Sequence, residues 1–174
     1  MLNIVIRNES EKKGLYRMDI LRRIANRVCE GEGHTHPETE VSLLFCDDPF
    51  IAQLNGQYRG KWEPTDVLSF AQENNSFHGA HLLGDIVISL ETVARNCHRD
   101  PDAMRREVRL LFCHGLLHLR GHEHGTPEGK AAMVAKQALY LRIQPEEAWR
   151  DRPAAPAPRA KVPAGGGVAK PRGK

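Results

Sequence analysis

Four of the nine histidines fall inside eleven residues, His114-Gly115-Leu116-Leu117-His118-Leu119-Arg120-Gly121-His122-Glu123-His124. His114 and His118 are four apart, which on a helix puts them on one face, about 5–6 Å apart at Cβ. Gly121 is a ready helix stop, because glycine enters the left-handed conformation without steric cost. Past that stop His124 can fold back toward the other two. Three imidazoles converging on one point are how a catalytic zinc ion is commonly held, with a fourth position left to water. One or two histidines would read as surface or capping residues; three at 0, +4 and +10 with glycine at +7 read as a metal site. His122, two residues before His124, reads as a loop residue or a neighbour of the ligands. Cys113 is rotated about 100° from His114 on a helix and reads as core.

The spacing is shared with the HExxHxxGxxH zinc proteases, where the residue after the first histidine is a glutamate that serves as general base. Here that position is Gly115, and the acid within the run, Glu123, lies beyond Gly121. The cage is therefore protease-like while its base is missing, which argues for chemistry in which the metal does more of the work.

The elements that must position this run can be read from periodicity and breakers. Residues 2–8, 41–46, 66–70 and 82–89 read as strands. Helices are predicted from Asp19 to Gly31 or Gly33, from an Asp48 N-cap with Pro49 in the first turn, over 90–98 behind a Ser89 cap, over about 101–120 behind Asp100-Pro101, and from Thr126-Pro127 to about Ile143. Residues 31–39 and 72–80 read as loops. The order implies an α+β domain with a small mixed sheet, and the histidines ride on its fourth helix.

With 174 residues, 40% hydrophobic and 27% charged, the chain reads as an ordinary globular domain. No signal peptide and no membrane span are expected. The four cysteines, Cys29, Cys46, Cys97 and Cys113, are scattered without a CxxC pair, which fits a reducing, cytoplasmic setting. The net charge of +3 is unevenly placed: residues 151–174 hold six basic side chains and one acid, +5, which leaves −2 on residues 1–150. The division expected is a folded domain over 1–148 and a disordered basic Pro/Ala/Gly tail over 149–174. Such a tail can solubilise the chain or attract nucleic acid without regard to sequence.

The histidine run closely resembles the HGxLHLxGYDH signature of the YbeY family of metal-dependent endoribonucleases, also called rRNA maturation factors. Leu54-Asn55, Tyr58-Arg59-Gly60-Lys61 and Pro64-Thr65-Asp66-Val67-Leu68-Ser69-Phe70 resemble the family's LNxxYRxxxxPTDVLSF segment, and Gly84-Asp85-Ile86-Val87-Ile88-Ser89 its GDIVIS strand. The resemblance covers about residues 2–145. Departures are His122 in place of an aromatic, Glu123 in place of Asp and Ala71 in place of Pro.

The resemblance implies four strands in a mixed sheet, about five helices around it, and the histidine helix beneath an open cleft. It implies that His114, His118 and His124 bind Zn2+ or a similar divalent metal. It also implies that Arg59, planar and permanently charged, is needed for activity, with His114 and Arg59 as the catalytic pair. The activity implied is single-strand-preferring RNA cleavage in rRNA maturation and ribosome quality control, with an rRNA precursor and the ribosome or its proteins as partners and no membrane. Lys61 reads equally as a phosphate contact or a solvated side chain. Asp66 reads as a ligand-orienting group or a turn cap, and Asp85 likewise. His34, His36, His78 and His81 are not placed at the metal. Two other classes are weighed: a non-catalytic assembly factor stapled by its metal, for which His122 would supply a fourth ligand, and a zinc peptidase, against which Gly115 speaks.

Overall fold

The computed structural model describes residues 2–33, 39–72, 76–77 and 80–149. Its strands are β1 (Leu2–Asn8), β2 (Thr39–Cys46), β3 (Val67–Ala71), β4 (Ser76–Phe77) and β5 (Ala80–Ser89). Its helices are α1 (Met18–Gly31), α2 (Asp48–Arg59), α3 (Leu90–Asn96), α4 (Pro101–Leu119) and α5 (Pro127–Leu141), followed by a 3-10 turn over Pro145–Glu147. The main sheet runs β1-β2-β5-β3. β1 is parallel to β2 and β2 to β5, while β3 runs antiparallel to β5. This is the mixed four-stranded sheet expected, with one addition. The stretch read as a loop over 72–80 contains β4, which pairs with the start of β5 through Ser76↔His81 and Phe77↔Ala80. Two residues of main-chain pairing leave no side-chain alternation to read.

β2 and β5 end in apolar runs, residues 43–46 and 86–88, because both their faces are covered there. Val41, Leu43 and Phe45 share one core with Ile86 and Ile88, while Leu44 and Cys46 join Val87, Leu68 and Phe70 in a second. The first core lies under α1 and α4 and takes in Leu21, Ile24, Val28, Leu111, Phe112 and Leu116. The second is closed by α2 through Ile51, with Phe50 and Leu54 beside it. A cavity of about 460 Å³ opens on this second face, lined among others by Arg7, Leu44, Phe50, Leu82 and Asp85; none of the three site histidines lines it.

Three of the helix starts follow their sequence signals. Ser89 Oγ accepts from Thr92 N (3.2 Å), an Asp100 carboxylate oxygen from Ala103 N (2.6 Å), and Thr126 Oγ1 from Gly129 N (3.1 Å). The fourth differs. Asp48 is the first helical residue of α2 and Asp47 holds the N-cap position. Asp48 is drawn away by better donors: Ser89 Oγ and Thr92 Oγ1 each donate to its Oδ1 at 2.6 Å, and Arg95 Nη1 pairs with Oδ2 at 2.8 Å. That network ties the start of α2 to the start of α3.

Candidate metal centre

α4 is buried almost all round from Leu110 to Leu117, so His114 enters the interior at 4% exposure. The helix ends at Leu119, and Gly121 follows at φ 85°. There a left-handed residue turns the chain back, with the N–H groups of Gly121 and His122 donating to His118 O and Leu117 O. His124 returns to the two helical histidines. The potential ligand nitrogens of His114, His118 and His124 all lie within 4.8 Å of one another. His118 Nε2 and His114 Nε2 are 3.0 Å apart. Three neutral-capable nitrogens around one point are a donor set that suits zinc or a similar divalent metal. The residues fit the ion that the spacing calls for.

His114 is held from behind by a residue that sequence reading passed over. Gln137, 1% exposed on α5, lies with Oε1 2.7 Å from His114 Nδ1, and its Nε2 donates to the main-chain oxygen of Ala148. A carbonyl only accepts, so the amide NH2 must face Ala148 and the amide oxygen must face His114. His114 Nδ1 then carries the proton, and the Nε2 lone pair is turned to the metal side. Gln137 has a weak sequence signal: a polar residue in register with buried Met133 and Tyr140 on α5.

Trp149 forms another wall. Its ring centroid lies 5.8 Å from that of His114 and 5.1 Å from that of His124, with Lys130 Nζ 5.1 Å above the indole. Trp149 therefore packs with the folded body, one residue beyond the boundary expected at 148.

His122 turns away from the centre. Its Nε2 is 2.6 Å from Glu32 Oε2, and Glu32 also takes Lys136 Nζ (2.7 Å) and Tyr140 Oη (2.5 Å). Burial pushes the Glu32 carboxyl up, but these hydrogen bonds outweigh it and bring its pKa down to about 2. The cluster joins the end of α1 to α5 and to the loop that carries His124. Among the described residues, three side chains could ligate a metal at this centre, and His122 is not one of them.

Gly115 packs against the sheet. A Cβ there would come 2.9 Å from Ile86 Cγ2 and 3.0 Å from Ser69 Oγ. The position taken by a glutamate in the zinc proteases is here the close contact between α4 and strands β3 and β5.

Arg59 ends α2, half-buried, and Gly60 caps the helix at φ 70°. Burial lowers the guanidinium pKa from its ordinary value, and the carboxylates of Asp66 and Glu123 act against that shift. Arg59 thus lies within electrostatic reach of the histidine run, and its buried Nε has no hydrogen-bond partner among the described residues. Asp66 accepts from Val67 N at 2.8 Å. Asp85 accepts from Gln72 Nε2 at 3.2 Å on the far face of the sheet. His81 lies on β5, and His34, His36 and His78 lie outside the described residues.

Fold and centre together define a class: an α+β domain that gathers three imidazoles from one helix and its following loop into a cluster that could hold a metal ion. A family model described as Endoribonuclease YbeY matches residues 5–143. The Endoribonuclease YbeY of Pelotomaculum thermopropionicum is 43% identical over 126 residues, 70% of this chain and 82% of the relative. That of Syntrophotalea carbinolica is 36% identical over 151 residues, 84% of this chain and 97% of the relative. The solution structure of a Thermotoga maritima protein aligns at 26% identity with a TM-score of 0.48, over 86% of this chain and 89% of that one. The chain belongs to the YbeY family of endoribonucleases.

Proposed function

We propose that this chain is a zinc-dependent endoribonuclease that prefers single strands and acts on rRNA precursors during ribosome maturation. The observation that carries the reading is the convergence of His114, His118 and His124, with Arg59 brought to the same region from α2. A divalent metal bound there would lower the pKa of a coordinated water toward about 7 or polarise a phosphoryl oxygen. The chain's own groups supply the rest. Gln137 orients the His114 imidazole and holds a proton on its Nδ1. Arg59, permanently charged and with a spare donor, suits the extra negative charge that phosphate oxygens gain in the transition state. The cationic segment 151–174 adds salt-sensitive attraction for RNA and for the ribosome. Four free, buried cysteines suit a cytoplasmic setting, and no helix among the described residues is long and apolar enough to cross a membrane.

The test is metal analysis paired with RNA cleavage. Purified protein should carry about one zinc per chain and cut single-stranded RNA until a chelator is added. His114→Ala and Arg59→Ala should both lose cleavage, His114→Ala with loss of metal and Arg59→Ala without it. Full cleavage by His114→Ala, with contaminating nucleases excluded, would overturn the proposal. Retained ribosome-maturation function in a protein with no cleavage activity would favour the non-catalytic assembly factor instead.

A further inference from the structure

Three residues beyond Arg59 stands the most exposed large hydrophobic side chain among the described residues, Trp62, at 72% exposure. Its placement is built. The loop after α2 is bound back onto the helix by buried Asn55, whose Nδ2 donates to Glu63 O at 2.8 Å, while Lys61 N donates to Asn55 O at 3.4 Å. The indole then lies against Gly56. A side chain on Gly56 would run into Cδ2 and Cε2, the two atoms the rings share, and into Cε3 beside them. The glycine therefore meets the broad face of the indole and leaves the opposite face to solvent. A helix interior disfavours glycine, and here the glycine lets an aromatic ring lie flat on the backbone.

The neighbours give this surface a chemistry. Gly56 and Arg59 are three apart on α2 and so share a face. The same turn of chain carries Arg59, with its unpartnered Nε, exposed Lys61, and Tyr58, which is 36% exposed and packs its ring 4.8 Å from Phe70. An open aromatic face next to cations is the arrangement that holds single-stranded nucleic acid, the base on the ring and the phosphate on the charge. We propose that Trp62 is a stacking platform for an unpaired base of the RNA, next to the phosphate that Arg59 engages. This rests on the endoribonuclease reading and adds a source for its preference for single strands: a base paired in a duplex cannot present its face to the indole.

The test compares zinc-loaded wild type, Trp62→Ala and Trp62→Phe in steady-state cleavage of a short unstructured RNA and of the same sequence annealed to its complement. Inorganic polyphosphate, an anion without bases, serves as competitor. Removing a stacked base contact should raise KM for the single strand by roughly 5- to 150-fold with kcat unchanged. Trp62→Phe should recover most of the loss. Inhibition by polyphosphate and cleavage of the duplex should not change. Because Trp62 is exposed, its variants should melt with the wild type, which a thermal scan confirms. A Trp62→Ala enzyme with wild-type KM overturns the platform, leaving Trp62 as a contact for a protein, while the endoribonuclease reading stands. Equal loss toward RNA and polyphosphate also overturns it, because the effect would then be electrostatic. A wild type that neither binds nor cuts the single strand overturns both readings.

Discussion

The side-chain oxygen of Gln137 lies 2.7 Å from Nδ1 of His114, across 23 residues of chain. The main-chain oxygen of Ala148 fixes which way the amide points, and the amide fixes which nitrogen of His114 is left toward the other two histidines. Two hydrogen bonds thus connect Ala148, through Gln137, to one of the three clustered histidines.

Gln137→Met keeps the volume and removes the acceptor. Metal affinity should fall by about 10- to 100-fold, as measured by competition with a chromogenic chelator. Gln137→Glu keeps an acceptor for His114 while losing the donor to Ala148, so its affinity should stay near that of the wild type. Equal losses in both variants would show that the role of Gln137 is to anchor Ala148.

Gly115→Glu places a carboxylate where the zinc proteases have their base. The first atom of the new side chain meets Ile86 and Ser69. Removing a helical glycine gains up to about 1 kcal/mol, but overpacking costs about 1–3 and a buried carboxylate costs more. The variant should unfold at lower denaturant than the wild type and should not digest casein. Peptidase activity in Gly115→Glu would contradict the packing described.

Arg59→Lys retains the charge and loses Nε and the planar fork. With Nε buried near the site and Asp66 and Glu123 in electrostatic reach, lysine should not substitute. kcat/KM should fall on the order of 100-fold in both Arg59→Lys and Arg59→Ala, with zinc content unchanged.

Glu32 sets an acid limit on stability. Its carboxyl pKa in the folded chain is lowered to about 2 from an ordinary 4.5. A depressed carboxyl contributes stability that is fully present above the unfolded value and is lost as pH falls from about 4.5 to about 2. Glu32→Gln should therefore melt below the wild type at neutral pH, and the two melting curves should converge as pH falls through that window. A constant gap across the window would mean that packing, not charge, accounts for the difference.

The strands of the main sheet, the helices and the two helix-borne histidines of the cluster were legible because their signals are local. Proline and capping residues stand at the helix starts, and the apolar runs of β2 and β5 mark strands covered on both sides. His114 and His118 follow directly from a 3.6-residue turn. β4 was not legible, since its pairing is main chain against main chain. Asp48 was misread as a cap, because a local rule cannot see that Ser89, Thr92 and Arg95 offer its carboxylate better partners.

What the sequence determined by itself is which three histidines come together and the turn that gathers them: four residues of helix, a glycine, and a return of three. Tertiary structure alone decided what surrounds them. It turned His122 onto Glu32, set Gly115 against the sheet, brought Gln137 and Trp149 behind His114, and carried Arg59 in from α2. The reason is physical. Spacing along one helix is a property of bond geometry and is written in adjacent residues, whereas contacts between elements depend on which faces are buried together. That is settled when the whole core packs.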